Sequence, residues 1–434
     1  MFPEAAPAAG APDESAGSGV IVCIGAGAEY ATGVGAADTS NAAESVIGLL
    51  ACCSWQPAAI NRETTIAGIA YFTTCSLLEK VDKRPFPARN IPPFIGRAAV
   101  ITLISAPGVY DPIMVHRIVI LALVMSAIGI ALCALMILLM ARMLLRPRRM
   151  TDPRAMILLH RLTPADLGME FENISYTVLD QSTGKPLRIA GWWIPTPDSR
   201  GRCAVILHGY SDAKVGGIAW APLLRSFGFN IVAIDLRAHG ESGGAYSCAG
   251  FWERYDVNQV LDQTKSARPA ETRQILLFGI SLGAATAAAT AVMRNDLRAV
   301  ILEGPFADFH TAAALHADRL GTPGPFFQDN AYRLAKWLSH ADFDAVRPVD
   351  TIPKIPCPLL VIQSGDDPFL TESDHAAIRQ AVESRDPTLG PSINWELPGV
   401  HHVVGMLLDP VGYRRRIEEF LAGVLQNMGE VCDK

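Results

Sequence analysis

Residues from about 167 to 425 of this 434-residue chain predict an α/β fold, a mostly parallel sheet with helices on both faces. Two observations carry that prediction. Short apolar runs alternate with longer segments of helical pattern, the order that builds strand–helix–strand crossovers. The later runs are also continuously apolar, as in strands covered on both faces of a parallel sheet. A third observation adds an element ahead of the fold: residues 118–141 form a charge-free run of 24, mostly Leu, Ile, Val, Ala and Met.

Residues 1–112 are rich in Ala, Gly and Ser and keep no period of 2 or 3.6, which predicts a poorly structured region. Within it, residues 19–27 imitate a dinucleotide-binding turn, but Tyr30 stands in place of the third glycine and no strand–helix–strand pattern follows. Translation is expected to begin at Met114, just ahead of the charge-free run. At about 1.5 Å per residue that run exceeds the roughly 30 Å hydrocarbon core of a bilayer. Residues 113–146 are therefore read as one transmembrane helix with a basic flank, and 147–166 as a linker. Arg142, Arg146, Arg148, Arg149 and Arg154 follow the run, whereas Arg117 is the close cation before it. The positive-inside rule then puts the C-terminal domain, residues 167–427, on the cytoplasmic side of a single-pass protein.

In that domain residues 169–178 alternate as an edge strand should, with 187–194 as their partner. The buried strands follow at 203–207, 230–234, 274–278, 299–302, 358–362 and 393–397. Helical patterns occupy 253–266, 282–293, 372–383 and about 410–425. The net charge of −6 carries no basic stripe outside the membrane flank, so nucleic acid is not expected as a partner. Nine cysteines show no C-x-x-C pair and no Cys/His zinc spacing, and neither metal nor cofactor is expected.

The chemistry is concentrated at Gly279-Ile280-Ser281-Leu282-Gly283, between the apolar strand 274–278 and an alanine-rich helical run. A serine pinned between glycines on a sharp strand-to-helix turn has its hydroxyl pushed clear of the sheet, as a nucleophile requires. Gly240-Glu241-Ser242-Gly243-Gly244 fits the same pentapeptide, but its strand ends at Asp235 and no helix follows directly. Acyl transfer through serine also needs a base, an acid to orient the base, and backbone donors for the oxyanion. The strand at 358–362 runs into an acidic turn 86 residues after Ser281, offering Asp367 as the acid and Asp366 as its alternate. Asp308, just past the strand after the elbow, is a more distant candidate. The last strand leads to His401 and His402; His402 is taken as the base and His401 as its alternate. Leu282, directly after the nucleophile, and Tyr210, after His208-Gly209, are expected to supply the oxyanion N–H groups. His208 and His239 are read as loop-shaping, and His310, His316 and His340 as unfixed by any strand.

The chain from about Leu167 to Leu425 resembles the α/β-hydrolase superfamily, and within it the membrane-anchored Bem46-like and serine-aminopeptidase-like hydrolases. The resemblance rests on Gly191-Trp192-Trp193-Ile194-Pro195, His208-Gly209-Tyr210, the stretch from Asp235 to Gly244, the Ser281 turn, the Asp367 turn and the His402 loop. It implies an α/β-hydrolase fold with a small helical cap, here the insertion at about 306–356, preceded by one transmembrane helix. Ser364 and His401 stand where the group usually has glycine. In that fold Phe306, Phe309, Phe326, Phe327 and Trp337 either line an apolar acyl pocket or form the cap's own core.

A membrane-tethered serine hydrolase is expected, acting on a small-molecule ester or acyl substrate, lipid-like ones included, through an acyl-enzyme on Ser281. The same residues also suit a peptidase, thioesterase or acyltransferase, and an inactive hydrolase-fold binding protein is the alternative from another class. Serine rather than aspartate at the elbow disfavours a dehalogenase.

Overall fold

The computed structural model describes residues 111–426, and expectations placed on residues 1–110 lie outside them. Helix α1 (Pro112–Leu145) is 34 residues long, ten more than the charge-free run. Among the described residues, its opening turns up to Val124 fall in one unit and Met125 onward in another. The helix extends past that run because Arg117 and Arg142, both good helix formers, continue it at either end. Every residue from 112 to 136 is exposed. An exposed stretch that is apolar on all sides has the surface of a lipid-facing segment, and this helix is long enough to cross a membrane.

Helix α2 (Asp152–Leu159) lies within the stretch expected as a linker at 147–166. Eight residues are too short to show a helical period, but Asp152 and Pro153 in the first turn are sound start signals.

The sheet has eight strands: β1 (Glu172–Asp180), β2 (Lys185–Ile194), β3 (Arg202–Leu207), β4 (Asn230–Ile234), β5 (Gln274–Ile280), β6 (Leu297–Glu303), β7 (Leu359–Ser364) and β8 (Ser392–Leu397). Their spatial order is β1-β2-β4-β3-β5-β6-β7-β8. β2 pairs antiparallel with β1 and with β4, and the remaining pairs are parallel. Helices α3 (Ala221–Ser226), α4 (Glu253–Ala267), α5 (Leu282–Ala291) and α8 (Glu372–Glu383) provide crossovers, and α9 (Pro410–Gln426) follows β8. The insertion between β6 and β7 contains α6 (Phe309–Arg319) and α7 (Pro325–Ser339).

Because successive strand residues face opposite ways, each central strand feeds two cores. Val205, Val232, Leu277, Val300 and Val361 face one layer of helices. Ile206, Ile231, Phe278, Ile301 and Leu360 face the other. Register then fixes the site. Leu207 lies beside Gly279, Ile280 beside Glu303, and Glu303 beside Ile362, so the loops after β3, β5, β6 and β7 leave the same sheet edge together.

Candidate active site

Ser281 follows β5 directly, and its backbone turns at φ 53°, ψ −113° before α5 begins. That left-handed conformation costs a non-glycine residue on the order of 1–3 kcal/mol and persists only where neighbours enforce it. Two glycines make the turn possible. A Cβ on Gly279 would lie 2.3 Å from the Gly283 carbonyl oxygen, and one on Gly283 would lie 2.1 Å from the Leu207 carbonyl oxygen. The Ser281 N–H donates to the Glu303 carbonyl at 2.8 Å, fastening the turn to β6.

His402 Nε2 stands 3.0 Å from Ser281 Oγ, and His402 Nδ1 stands 2.5 Å from Asp367 Oδ2. The Asp367 side chain is fully buried, and its other oxygen accepts the Phe369 N–H at 2.9 Å. A carboxylate can only accept, so the imidazole proton lies on Nδ1 and the Nε2 lone pair faces the serine hydroxyl. The next residue, Val403, has φ 58°, an outlier for a β-branched side chain. Its N–H donates to Ser364 Oγ at 3.2 Å, so the serine that departs from the usual glycine ties the acid-bearing strand to the histidine loop. The Phe369 ring meets the His402 imidazole edge to face at 5.1 Å, and His316 from α6 packs on its other side at 5.4 Å. His316 thus reaches the site through Phe369, a contact that no pattern around residue 316 announces.

The two alternates are not brought to Ser281. Asp366 is exposed, and its backbone carbonyl accepts from His401 Nδ1 at 3.2 Å, on the solvent side. Asp308 caps α6, accepting the Thr311 N–H at 2.8 Å. Ser242 is buried, donating to the Asp235 carbonyl and accepting the Ala190 N–H, so its hydroxyl is committed to structure. His310 pairs with Asp329 on the surface, and His340 terminates α7.

The loop after β3 is fixed from beneath by His208. The Leu236 N–H donates to its Nε2 at 3.0 Å, which places the ring proton on Nδ1, and Nδ1 donates to the Gly209 carbonyl at 2.7 Å. Burial depresses its pKa to about 4, so the ring stays neutral. Gly209 lies against Ser281: a Cβ there would be 3.4 Å from Ser281 Cβ. In a trans peptide the N–H points opposite the carbonyl. Holding the Gly209 carbonyl toward His208 therefore turns the Tyr210 N–H away from it. Leu282 is buried at the start of α5, behind the serine. His239 Nδ1 donates to the Arg237 carbonyl, in keeping with its loop-shaping role.

Glu303 was not singled out in the sequence. It ends β6, fully buried, and its carboxyl accepts the hydroxyl of Tyr413 from α9, which in turn accepts the Trp220 indole N–H at 3.1 Å. Burial pushes its pKa up to about 7. A lone carboxylate closing the apolar run 299–302 was the available signal. Asp235 plays a structural part: its carboxylate takes the backbone N–H groups of Lys214 and Glu241 and the Lys214 ammonium at 2.7 Å.

The five aromatics of the insertion divide. Phe309 and Phe327 join Tyr332 and Phe343 in a cluster that also takes Met140, Ala141 and Leu145 of α1, so they form core rather than an acyl pocket. Phe306 is buried against Phe309, whereas Phe326 and Trp337 are exposed.

A family model described as serine aminopeptidase, S33, matches residues 198–342. The uncharacterized protein YqkD of Bacillus subtilis (strain 168) is 26% identical over 272 residues, spanning 59% of this chain and 82% of that protein. The lysophosphatidylserine lipase ABHD12 of Xenopus tropicalis is 30% identical over 177 residues, 38% of this chain and 42% of the relative. Among solved structures, the Pyrococcus furiosus esterase Pf2001 superimposes with a TM-score of 0.51 at 21% identity, covering 64% of this chain and 97% of that one.

Proposed function

We propose that this chain, a member of the α/β-hydrolase superfamily, is a single-pass membrane-anchored serine hydrolase that cleaves carboxylic esters of lipid-like substrates. The observation that supports this most strongly is the chain of contacts from Ser281 Oγ through His402 to the buried Asp367 carboxylate. In this reading His402 Nε2 takes the Ser281 proton as Oγ attacks the ester carbonyl. The imidazolium formed is stabilised by Asp367, and the N–H groups of Tyr210 and Leu282 receive the developing oxyanion. His402 then returns the proton to the leaving alkoxide, and water repeats the sequence on the acyl-enzyme. The arginine-rich flank after α1 favours the cytoplasmic side for this domain.

The lipid-like preference rests on the anchor, which holds the site beside the bilayer, and on the lysophospholipid named for the ABHD12 relative. A panel of p-nitrophenyl esters from acetyl to palmitoyl, with a lysophospholipid and aminoacyl amides, tests it. The reading predicts kcat/KM rising at least about ten-fold from acetyl to medium or long acyl chains, since each buried CH₂ contributes about 0.8 kcal/mol. Preference for acetyl, or turnover confined to the amides named by the family model, would contradict it.

A further inference from the structure

The end of α1 is built into the hydrolase domain. The last carbonyls of a helix have no partner within it and must be satisfied from outside. Here Arg142 O is taken by the Arg146 N–H at 2.8 Å. The carbonyls of Met143 and Leu144 both receive the hydroxyl of Tyr210, the second at 3.2 Å, and Leu145 O receives the Ser247 N–H at 2.8 Å. Ala141 and Leu145 are completely buried against the cap. Just beyond, the Arg149 guanidinium donates to the carbonyls of His239, Gly240, Ser242 and Gly244 at 2.6–3.3 Å.

Tyr210 belongs both to this joint and to the loop beside the nucleophile. Its backbone follows Gly209, which packs on Ser281. His208 holds one side of that loop through the Gly209 carbonyl, and the Tyr210 phenol holds the other through the helix end. Ser211, immediately after, is left-handed at φ 59°. A strained residue directly after two such fixings marks a loop whose shape is imposed from outside.

We propose that the C-terminal turn of the membrane-crossing helix is a working part of the acyl-transfer site, acting through Tyr210 as a positioning residue. The phenol hydroxyl, donated to the helix carbonyls, holds the loop so that the Tyr210 N–H meets the oxyanion. This rests on Ser281 being the nucleophile. The helix is then a structural wall of the site as well as an anchor, and an undocked helix leaves the oxyanion loop free to relax.

The test uses full-length protein in detergent micelles with p-nitrophenyl acetate, whose acyl group carries a single methyl. Tyr210→Phe keeps the ring and removes the hydroxyl. It is expected to lower kcat about ten-fold, a fraction of the hundred-fold or more for losing an oxyanion donor outright, with KM within about two-fold. Labelling by a fluorophosphonate still reaches completion, because serine and histidine are untouched. Arg149→Ala loosens the same joint without touching Tyr210 itself, and is expected to lower the melting temperature and to lower kcat in the same direction by a smaller factor, with KM within about two-fold. The proposal is overturned if Tyr210→Phe keeps the parental kcat, if its loss appears in KM, or if Arg149→Ala melts earlier yet keeps the parental kcat. Failure of the parent to label would instead remove the nucleophile assignment, and this proposal with it.

Discussion

Asp367→Asn is expected to lower kcat by about four orders of magnitude, near 5 kcal/mol of transition-state stabilisation, while the protein stays folded. The geometry dictates the size of the effect. Asp367 is buried, accepts the His402 Nδ1 proton at 2.5 Å, and by doing so keeps the Nε2 lone pair on Ser281. An asparagine of the same shape can present its amide N–H₂ to Nδ1, which moves the ring proton to Nε2 and removes the base. It also supplies no charge for the imidazolium. Steady-state kinetics on a p-nitrophenyl ester, beside a thermal melt, measures both halves of the expectation. A loss below about ten-fold would move the acid's role elsewhere, and the exposed Asp366 is badly placed to take it.

The second large effect is on folding. Gly283→Ala is expected to yield no folded protein. The added methyl would stand 2.1 Å from the Leu207 oxygen and 2.7 Å from the His208 oxygen, both backbone atoms. No rotamer relieves a Cβ clash, so β3 and α5 must part. Overpacking of this kind costs from about 3 kcal/mol upward where the backbone is fixed, set against a typical total stability of about 5–15 kcal/mol. Recovery of the variant in detergent extracts, with its melting temperature, decides the matter. A parental melt would mean the helix start is far more pliable than its contacts imply. Gly423, with nothing near its would-be Cβ, is the matched control.

What was legible in the sequence was local. The strands announced themselves because both faces of a parallel sheet are buried, and the Ser281 turn because only glycine fits at 279 and 283. The acid and histidine loops followed from strand ends. Hidden features all depended on pairs distant in sequence. Tyr210 meets a helix end 66 residues earlier, Glu303 meets Tyr413 110 residues later, and nothing in either neighbourhood encodes the partner. The same limit explains Phe309 and Phe327. As aromatics in an insertion they suited a pocket or a core equally, and only the arrival of α1 made them core. The choice of His402 over His401 was made from the sequence on the loop after the last strand; the structure turns one imidazole inward to Ser281 and its neighbour outward.

The central claim is that one serine, made nucleophilic by the imidazole beside it, carries the chemistry. Full-length protein treated with a fluorophosphonate and mapped by tryptic mass spectrometry tests it most directly. The account predicts a single adduct on Ser281, absent in Ser281→Ala and strongly slowed in a variant lacking the His402 imidazole. An adduct on Ser242 or elsewhere, or labelling that persists in Ser281→Ala, would contradict it.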